Sequence, residues 1–506
     1  MQEAVAEEQE EEANVTLIPV KDHGKEECVA AKKKELAAFD EFGVYEEVED
    51  KGQDALSSRW VLTDKSTAEE TKVKARLVAR GFEEKVKVQT DSPTGSKETL
   101  HMLLTVAATQ GWGIKSGDVK SAYLQGERPE RRKPGMIWRL VKAVYGMYDS
   151  GRKWYFKVEE VLHRLGCKKA KLDHCLFTYR VQGVLEGIML IWVDDIFYAG
   201  TDKFEAEVMK EVSKEFLIGR TEEEMFTYIG LAIKTTKEGI TIDQGDYIKN
   251  RLVPAVLKSG DSKRYLDKEE IRLLRRLTGQ INWAATQSRP DISFTVVELS
   301  SKIKTAQLED LKKANKAIAR MAATPNKLLF PRIGGSLRIV THSDAAFRNL
   351  PDQMSSGGGH IVFLTNQEEE AAAPLAWSSN KIKRVVGSTL AAEALSLQEA
   401  VAHAIFLRAI LAEIVGKKEE IPIISYVDSN NLYQAVYSTK FVEDKRLRLD
   451  IAQVQESIKL DALEVRWVQA GDMLADCLTK RGANPDKVLE VFEEGRLPKR
   501  RRKEME

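Results

Sequence analysis

Two carboxylates stand side by side in G-I-M-L-I-W-V-D-D-I-F-Y-A-G, residues 187 to 200. An apolar run rich in β-formers leads up to Asp194 and Asp195 and resumes at Ile196. The pattern predicts two strands joined by a tight turn with the acids at its tip. Charges at the tip of an otherwise buried hairpin are costly unless a cation sits among them. A third acid, Asp118, closes the stretch I-K-S-G-D-V, and a sheet could set it beside the pair. Three clustered carboxylates cannot all stay ionised uncompensated. A pair of magnesium ions roughly 4 Å apart would relieve that repulsion and suits in-line phosphoryl transfer.

A second acidic set lies further along. Asp344 and Asp428 each end an apolar stretch, L-R-I-V-T-H-S-D and I-P-I-I-S-Y-V-D. Glu393 falls in the first turns of a long helical pattern, and Asp476 lies in A-D-C-L-T-K. Carboxylates without histidine or cysteine favour hard ions, magnesium or manganese over zinc. Metal-assisted phosphodiester hydrolysis fits such a set. For any single acid a surface residue or helix cap is the simpler reading. The argument rests on recurrence, since an apolar strand runs into an acid at Asp194, Asp344 and Asp428.

The elements that must position these acids can be traced in order. Residues 1 to about 30 read as an acidic disordered tail, with a charged helix from Ala31. In K-V-K-A-R-L-V-A-R-G-F, Lys74, Arg76 and Arg80 alternate with Ala75, Leu77 and Ala79, so one strand face carries cations that suit a triphosphate. A solvated edge strand is the plainer alternative. Helices are expected at 97–112 and from Arg152 to Leu165, the latter stopped by Gly166. A hairpin turning at K-E-G follows, then a mostly helical region over 265–325 broken by S-R-P-D-I-S-F. From about 336 the order is three strands, helix, strand, helix, strand, helix, which predicts a mixed sheet with helices on its faces. The last of these helices is expected to contain A-D-C-L-T-K.

Composition narrows the classes without choosing one. The 506 residues exceed one ordinary core, and 43% hydrophobic content is that of a globular protein. Lysine plus arginine (78) balances aspartate plus glutamate (78), so net charge says nothing about nucleic acid. No apolar run is expected to span a bilayer, and no membrane partner is expected. Four scattered cysteines suit an intracellular protein, cytoplasmic or nuclear. His163, Cys167, His174 and Cys175 read as a helix end and a strand rather than a zinc site.

The motifs K-A-R-L-V-A-R-G-F, D-V-K-S-A-Y-L-Q-G, L-V-K-A-V-Y-G-M, W-V-D-D-I, R-P-D-I, S-D-A-A, S-T-L-A-A-E and A-D-C-L-T-K occur in the order found in copia-type LTR retrotransposon polyproteins. The resemblance covers about residues 31 to 485. It implies an α+β right-hand polymerase (fingers, palm and thumb over 31–255), a helical connection (256–335), an α/β ribonuclease H-like domain (336–482) and a charged tail (483–506). The implied activity is RNA-directed DNA polymerase with ribonuclease H. Asp118, Asp194 and Asp195 match the polymerase metal ligands, and Asp344, Glu393, Asp428 and Asp476 match the ribonuclease H carboxylates. Each site would use two Mg2+ (or Mn2+) ions. Tyr123 matches the aromatic gate against a ribose 2′-hydroxyl, and Lys74 and Arg76 match the nucleotide-binding fingers. Implied partners are an RNA template, a DNA primer, RNA/DNA hybrid and deoxynucleoside triphosphates, with a transfer RNA as a candidate primer.

The chain departs from the family pattern at Asp149, where glutamine is usual, and in a shorter segment between Gly126 and Trp138. An acid near a triphosphate is electrostatically unfavourable. Capsid, protease and integrase parts are not seen, so the chain reads as the C-terminal part of an element or a remnant of one. Two alternatives stay open: a non-catalytic nucleic-acid-binding remnant, and a chain in which only the ribonuclease H half works.

Overall fold

The computed structural model describes residues 16–64, 72–84, 89–119, 127–129, 136–416, 421–440 and 442–498. Helix α1 (Glu26–Glu41) begins ahead of the expected Ala31. Its Cys28 is buried with Leu62 and Ala75, and its Phe39 with Trp138. The residues just before position 31 therefore belong to the fold; acidic composition masked their few apolar anchors. Leu62 and Ala75 belong to strands β1 (Ser58–Asp64) and β2 (Val73–Ala79), paired antiparallel with Val61 opposite Arg76.

Helix α2 (Lys97–Gln110) is capped by Ser96 and stopped by Gly111 in the left-handed region. Every residue from Thr99 to Ala108 is buried. A helix apolar all round must be covered on all sides. One cover is a sheet built from β3 (Ile114–Val119), β4 (Leu176–Val181), β5 (Val184–Trp192), β6 (Asp195–Gly200) and β7 (Ile218–Glu223). Its order is β7-β3-β6-β5-β4, with Lys168–Lys169 at the outer edge. Between β3 and β4 in sequence runs α3 (Ser150–Arg164), which buries Trp154, Val158, Val161 and Leu162 at helical spacing.

The expected K-E-G hairpin is β8 (Leu231–Thr235) with β9 (Gly239–Asp243). Helices α4 (Lys268–Gln287), α5 (Ser293–Lys302) and α6 (Leu308–Ala323) then form a bundle around Leu274, Leu277, Ile281, Leu299, Leu311 and Ile318. The break between α4 and α5 is pinned by the buried pair Arg289–Asp291 at 2.9 Å. Arg289 also donates to the Met321 and Thr324 carbonyls. Strand β10 (Lys327–Pro331) returns to pair with β9.

The C-terminal unit contains β11 (Leu337–Ala346), β12 (Gly357–Asn366), β13 (Ala372–Lys381), α7 (Thr389–Val415), β14 (Ile423–Val427), α8 (Lys445–Leu460) and β15 (Leu463–Trp467). The sheet order is β13-β12-β11-β14-β15, antiparallel on one side of β11 and parallel on the other. This is the expected mixed sheet. One helix bears on the membrane expectation, and two expectations need correction. By length and composition α7 could cross a membrane, with mean hydropathy 1.4 over its most apolar window, half of it buried. It packs on β11, β12 and α8 and carries Glu393 inward, so its apolar character is that of a core helix. The A-D-C-L-T-K segment is a short 3-10 helix, Leu474–Leu478, and not an α-helix. Finally, the region after 483 holds α9 (Asp486–Glu494), whose Val488, Val491 and Phe492 are buried. Its one aspartate, three glutamates and one lysine outnumber the apolar residues and hid a narrow apolar stripe.

The three parts meet at Trp377 on β13. Its indole donates to the Ala285 carbonyl of α4 at 2.8 Å, and Lys97 of α2 lies 4.4 Å over its ring. The Lys97 ammonium donates to the Thr286 carbonyl at 2.9 Å. His101 of α2 stacks on Trp377 and its Nδ1 lies 2.9 Å from the Leu375 carbonyl. Behind β13, His360 Nε2 and His403 Nδ1 are 2.9 Å apart. Burial, with Lys97 beside it, holds His101 at about 3, and burial with His403 does the same to His360.

Both rings are neutral when folded and titrate near 6.5 when unfolded. Their stabilising effect is full above 6.5 and is lost as pH falls toward 3. At pH about 5 each ring therefore costs about 2 kcal/mol. Urea unfolding at pH about 7.5 and 5 should show this loss, and His101→Gln should shrink the difference by about 2 kcal/mol. An unchanged difference would show that His101 does not drive it.

Candidate active sites

The β5–β6 hairpin forms as its sequence predicts, with Trp192 opposite Asp195. The turn is bought by backbone strain: Val193 has φ 51°, the left-handed region, where a β-branched residue is rare. The Trp154 indole, buried in α3, donates to the Val193 carbonyl at 2.7 Å and holds the turn. Strand β3 lies along the other side of β6 and sets Asp118 directly opposite Asp195. The Val119 N–H donates to the Asp194 carbonyl at 3.0 Å. Asp118 is exposed, and Asp194 and Asp195 are half-buried. The three acids thus share one end of the sheet.

Tyr145 ties these acids to the basic strand. Burial raises its phenol above the usual range, and the charges of Asp194, Glu35 and Asp118 push the same way, while Arg76 opposes them. The Arg76 guanidinium lies 5.5 Å over the Tyr145 ring. Gly146 makes that approach possible: a Cβ there would lie 2.2 Å from the Ala79 carbonyl oxygen, and its φ is 88°. Lys74 is exposed on β2, and Arg80 lies beyond the strand beside Glu83. Tyr145 and Glu35 were not singled out from the sequence, because a lone tyrosine and a helix glutamate carry no signal. Tyr123 lies outside the described residues, as does part of the segment between Gly126 and Trp138. Asp149 spends its charge on Lys153 one helical turn away, at 2.8 Å.

The second set converges more tightly. Among the described residues, Asp344, Asp428 and Asp476 form the group of three whose carboxylate oxygens lie within 4.8 Å of one another. Asp344 is fully buried, two residues past the last β11–β14 pair, His342 with Tyr426. Asp428 follows β14, so parallel pairing puts both at the carboxyl ends of adjacent strands. The 3-10 turn presents Asp476. Glu393 reaches in from α7, and burial together with Asp344 and Asp428 pushes its carboxyl up to about 9. Burial followed by Asp344 raises Asp428, and burial raises Asp476. Two such carboxylates repel by roughly 3 kcal/mol at an effective dielectric near 20.

Two further residues compensate for this charge. The Thr479 hydroxyl donates to Asp344 Oδ2. The Lys480 ammonium lies 3.1 Å from Asp344, 2.7 Å from Asp476 and 4.0 Å from Asp428. Both belong to the A-D-C-L-T-K motif, whose threonine and lysine carry no signal of their own along the chain. The oxygen-only donor set, with a side-chain cation already drawn into it, fits a divalent hard ion. Asp344, Asp428 and Asp476 would hold it, with Glu393 beside them.

Residues 43–262 match the reverse transcriptase (RNA-dependent DNA polymerase) family. The chain is 27% identical over 456 residues to the retrovirus-related Pol polyprotein from transposon RE1 of Arabidopsis thaliana, covering 84% of this chain and 30% of that protein. It is 24% identical over 501 residues to the retrovirus-related Pol polyprotein from transposon TNT 1-94 of Nicotiana tabacum, covering 90% and 37%. The chain thus spans about a third of the length of these curated relatives. Among solved structures, the foamy viral protease-reverse transcriptase dRH in complex with ds DNA matches with a TM-score of 0.58 and 14% identity, over 88% of this chain and 70% of that one. That likeness is one of fold: a right-hand polymerase followed by a ribonuclease H-like unit. The resemblance to copia-type LTR retrotransposon polyproteins, read from the motifs, is borne out.

The close approach of the 3-10 turn to the sheet depends on Gly359, which sits opposite Asp344 on β12. A Cβ there would lie 2.7 Å from Leu478 Cβ and 3.1 Å from Thr479 Cγ2. Gly359→Ala should cost about 1–3 kcal/mol by thermal unfolding. A cost near zero would mean that the turn carrying Asp476 is free to move.

Proposed function

We propose that this chain is the RNA-directed DNA polymerase of a copia-type retrotransposon, joined to a ribonuclease H that cleaves RNA in RNA/DNA hybrids. The pairing of Asp118 with Asp195 across β3 and β6, with Asp194 in the adjoining turn, is the observation that carries the reading. Asp118, Asp194 and Asp195 would hold two Mg2+ (or Mn2+) ions. Bound there, the ions supply Lewis acidity for nucleotidyl transfer. Lys74 and Arg76 meet the triphosphate from β2, and Tyr123 is the residue assigned to discriminate against a ribose 2′-hydroxyl. Tyr145 packs its ring against the Arg76 guanidinium and lies within electrostatic reach of Asp194 and Asp118.

Asp344, Glu393, Asp428 and Asp476 hold the ions of the hydrolytic site, two per site. Burial, with Asp344 and Asp428 nearby, pushes the Glu393 carboxyl up to about 9 and so favours its protonated form beside the other three acids. The substrates are an RNA template with a DNA primer, deoxynucleoside triphosphates and the resulting hybrid; a transfer RNA is the candidate primer. Because Asp149 is paired with Lys153, its charge does not weigh against triphosphate binding as an isolated acid would.

Primer extension on poly(rA) with oligo(dT) and Mg2+, and cleavage of a labelled hybrid, test the reading. Asp194→Asn should lower synthesis at least about 100-fold and leave cleavage intact, and Asp428→Asn should do the reverse. A wild-type chain that binds hybrid but neither extends nor cleaves would favour the non-catalytic remnant. Trp154→Phe deletes the hydrogen bond to Val193 and should slow synthesis about tenfold with cleavage unchanged. Equal synthesis by wild type and Trp154→Phe would remove Trp154 from the positioning of the acids.

A further inference from the structure

The Lys480 ammonium lies where a divalent ion would have to sit. It contacts Asp344 and Asp476 at 3.1 and 2.7 Å and approaches Asp428 at 4.0 Å. These are the three acids whose oxygens lie within 4.8 Å of one another. An ammonium and a magnesium ion cannot share that space. They repel, and both need the same oxygens, the ion at roughly 2.1 Å. The side chain has a way out. It is 39% exposed, on a flexible four-carbon stem, whereas Asp344 is fully buried and tied to Thr479.

We infer that Lys480 is a built-in competitor of the divalent ion at the hydrolytic site, filling the carboxylate cluster until the ion displaces its ammonium toward solvent. This rests on the proposed ribonuclease H reading of the same acids. The contacts have two consequences. Without metal, Lys480 keeps a buried acidic cluster from repelling itself apart. With metal, the freed ammonium needs a new anionic partner, and a phosphate of bound hybrid is an anion of the right kind. Metal loading is thereby coupled to hybrid binding, so the empty enzyme holds the ion weakly.

The test uses the full chain carrying Asp194→Asn and Asp195→Asn, so that Mn2+ binding reports the second set. Mn2+ is titrated and followed by electron paramagnetic resonance, without nucleic acid. Lys480→Met should bind Mn2+ about tenfold more tightly than its parent, while Lys480→Arg, which keeps the charge, should not. In chelator Lys480→Met should melt earlier than the parent, and saturating Mn2+ should close the gap. Equal or weaker Mn2+ binding by Lys480→Met overturns the inference. So does a melting deficit that Mn2+ leaves unchanged, because that is the behaviour of a purely structural ion pair. Should Lys480→Met fail to fold, Lys480→Gln serves in its place with the same expectations. Asp428→Asn in the same background separates the two levels. If it leaves the Mn2+ binding event intact, the metal-site reading itself fails, whatever Lys480 does.

Discussion

Carboxylates cannot be packed together in a protein without positive charge among them, and much of this chain answers that constraint. At Asp344 the answer is supplied by the fold. Lys480, one helical turn past Asp476, drops its ammonium into the cluster, and Thr479 donates to Asp344. At Asp118, Asp194 and Asp195 solvent contributes, since Asp118 is exposed and the other two are half-buried. These acids sit at one end of a sheet, and Arg76 of the basic strand lies over the Tyr145 ring. One set carries a side-chain cation among its acids, and the other lies at the end of a sheet with Asp118 exposed.

Positioning depends on a small number of close approaches. Gly146 lets the basic strand come down on Tyr145, and Gly359 lets the 3-10 turn come down on Asp344. The Val193 turn is strained and held by one indole hydrogen bond from α3. Strain of this kind persists only where surrounding packing over-determines it, which is why it gathers at sites of chemistry. The two sites also share a frame. The sheet under the first and the sheet under the second contribute to one continuous hydrophobic core, with α2 between them, while the α4–α6 bundle keeps a core of its own.

That frame explains where sequence reading succeeded and where it did not. Helix α2 could be read as a helix from Leu100, Leu103, Leu104 and Ala107, but periodicity cannot say that its other face is covered too. Helix α9 went unseen because a three-residue stripe among charges is indistinguishable from a solvated tail until Trp377 and Phe363 are brought beside Phe492. The A-D-C-L-T-K segment is helical only as a short 3-10 helix, packed against β11 and β12.

The sequence by itself determined the chemistry available to this protein. Acid types, their place after apolar runs, and the absence of histidine and cysteine from both sets are local properties, and strand alternation and helix period are local too. The tertiary structure alone decided which charges meet. Asp118 and Asp195 lie 77 positions apart and Asp344 and Lys480 lie 136 apart, and only sheet register and the closing turn put them opposite each other. Electrostatic energy depends on distance in space, falling off over a few ångströms, so no pattern along the chain could have assigned Lys480 to Asp344 or Arg76 to Tyr145.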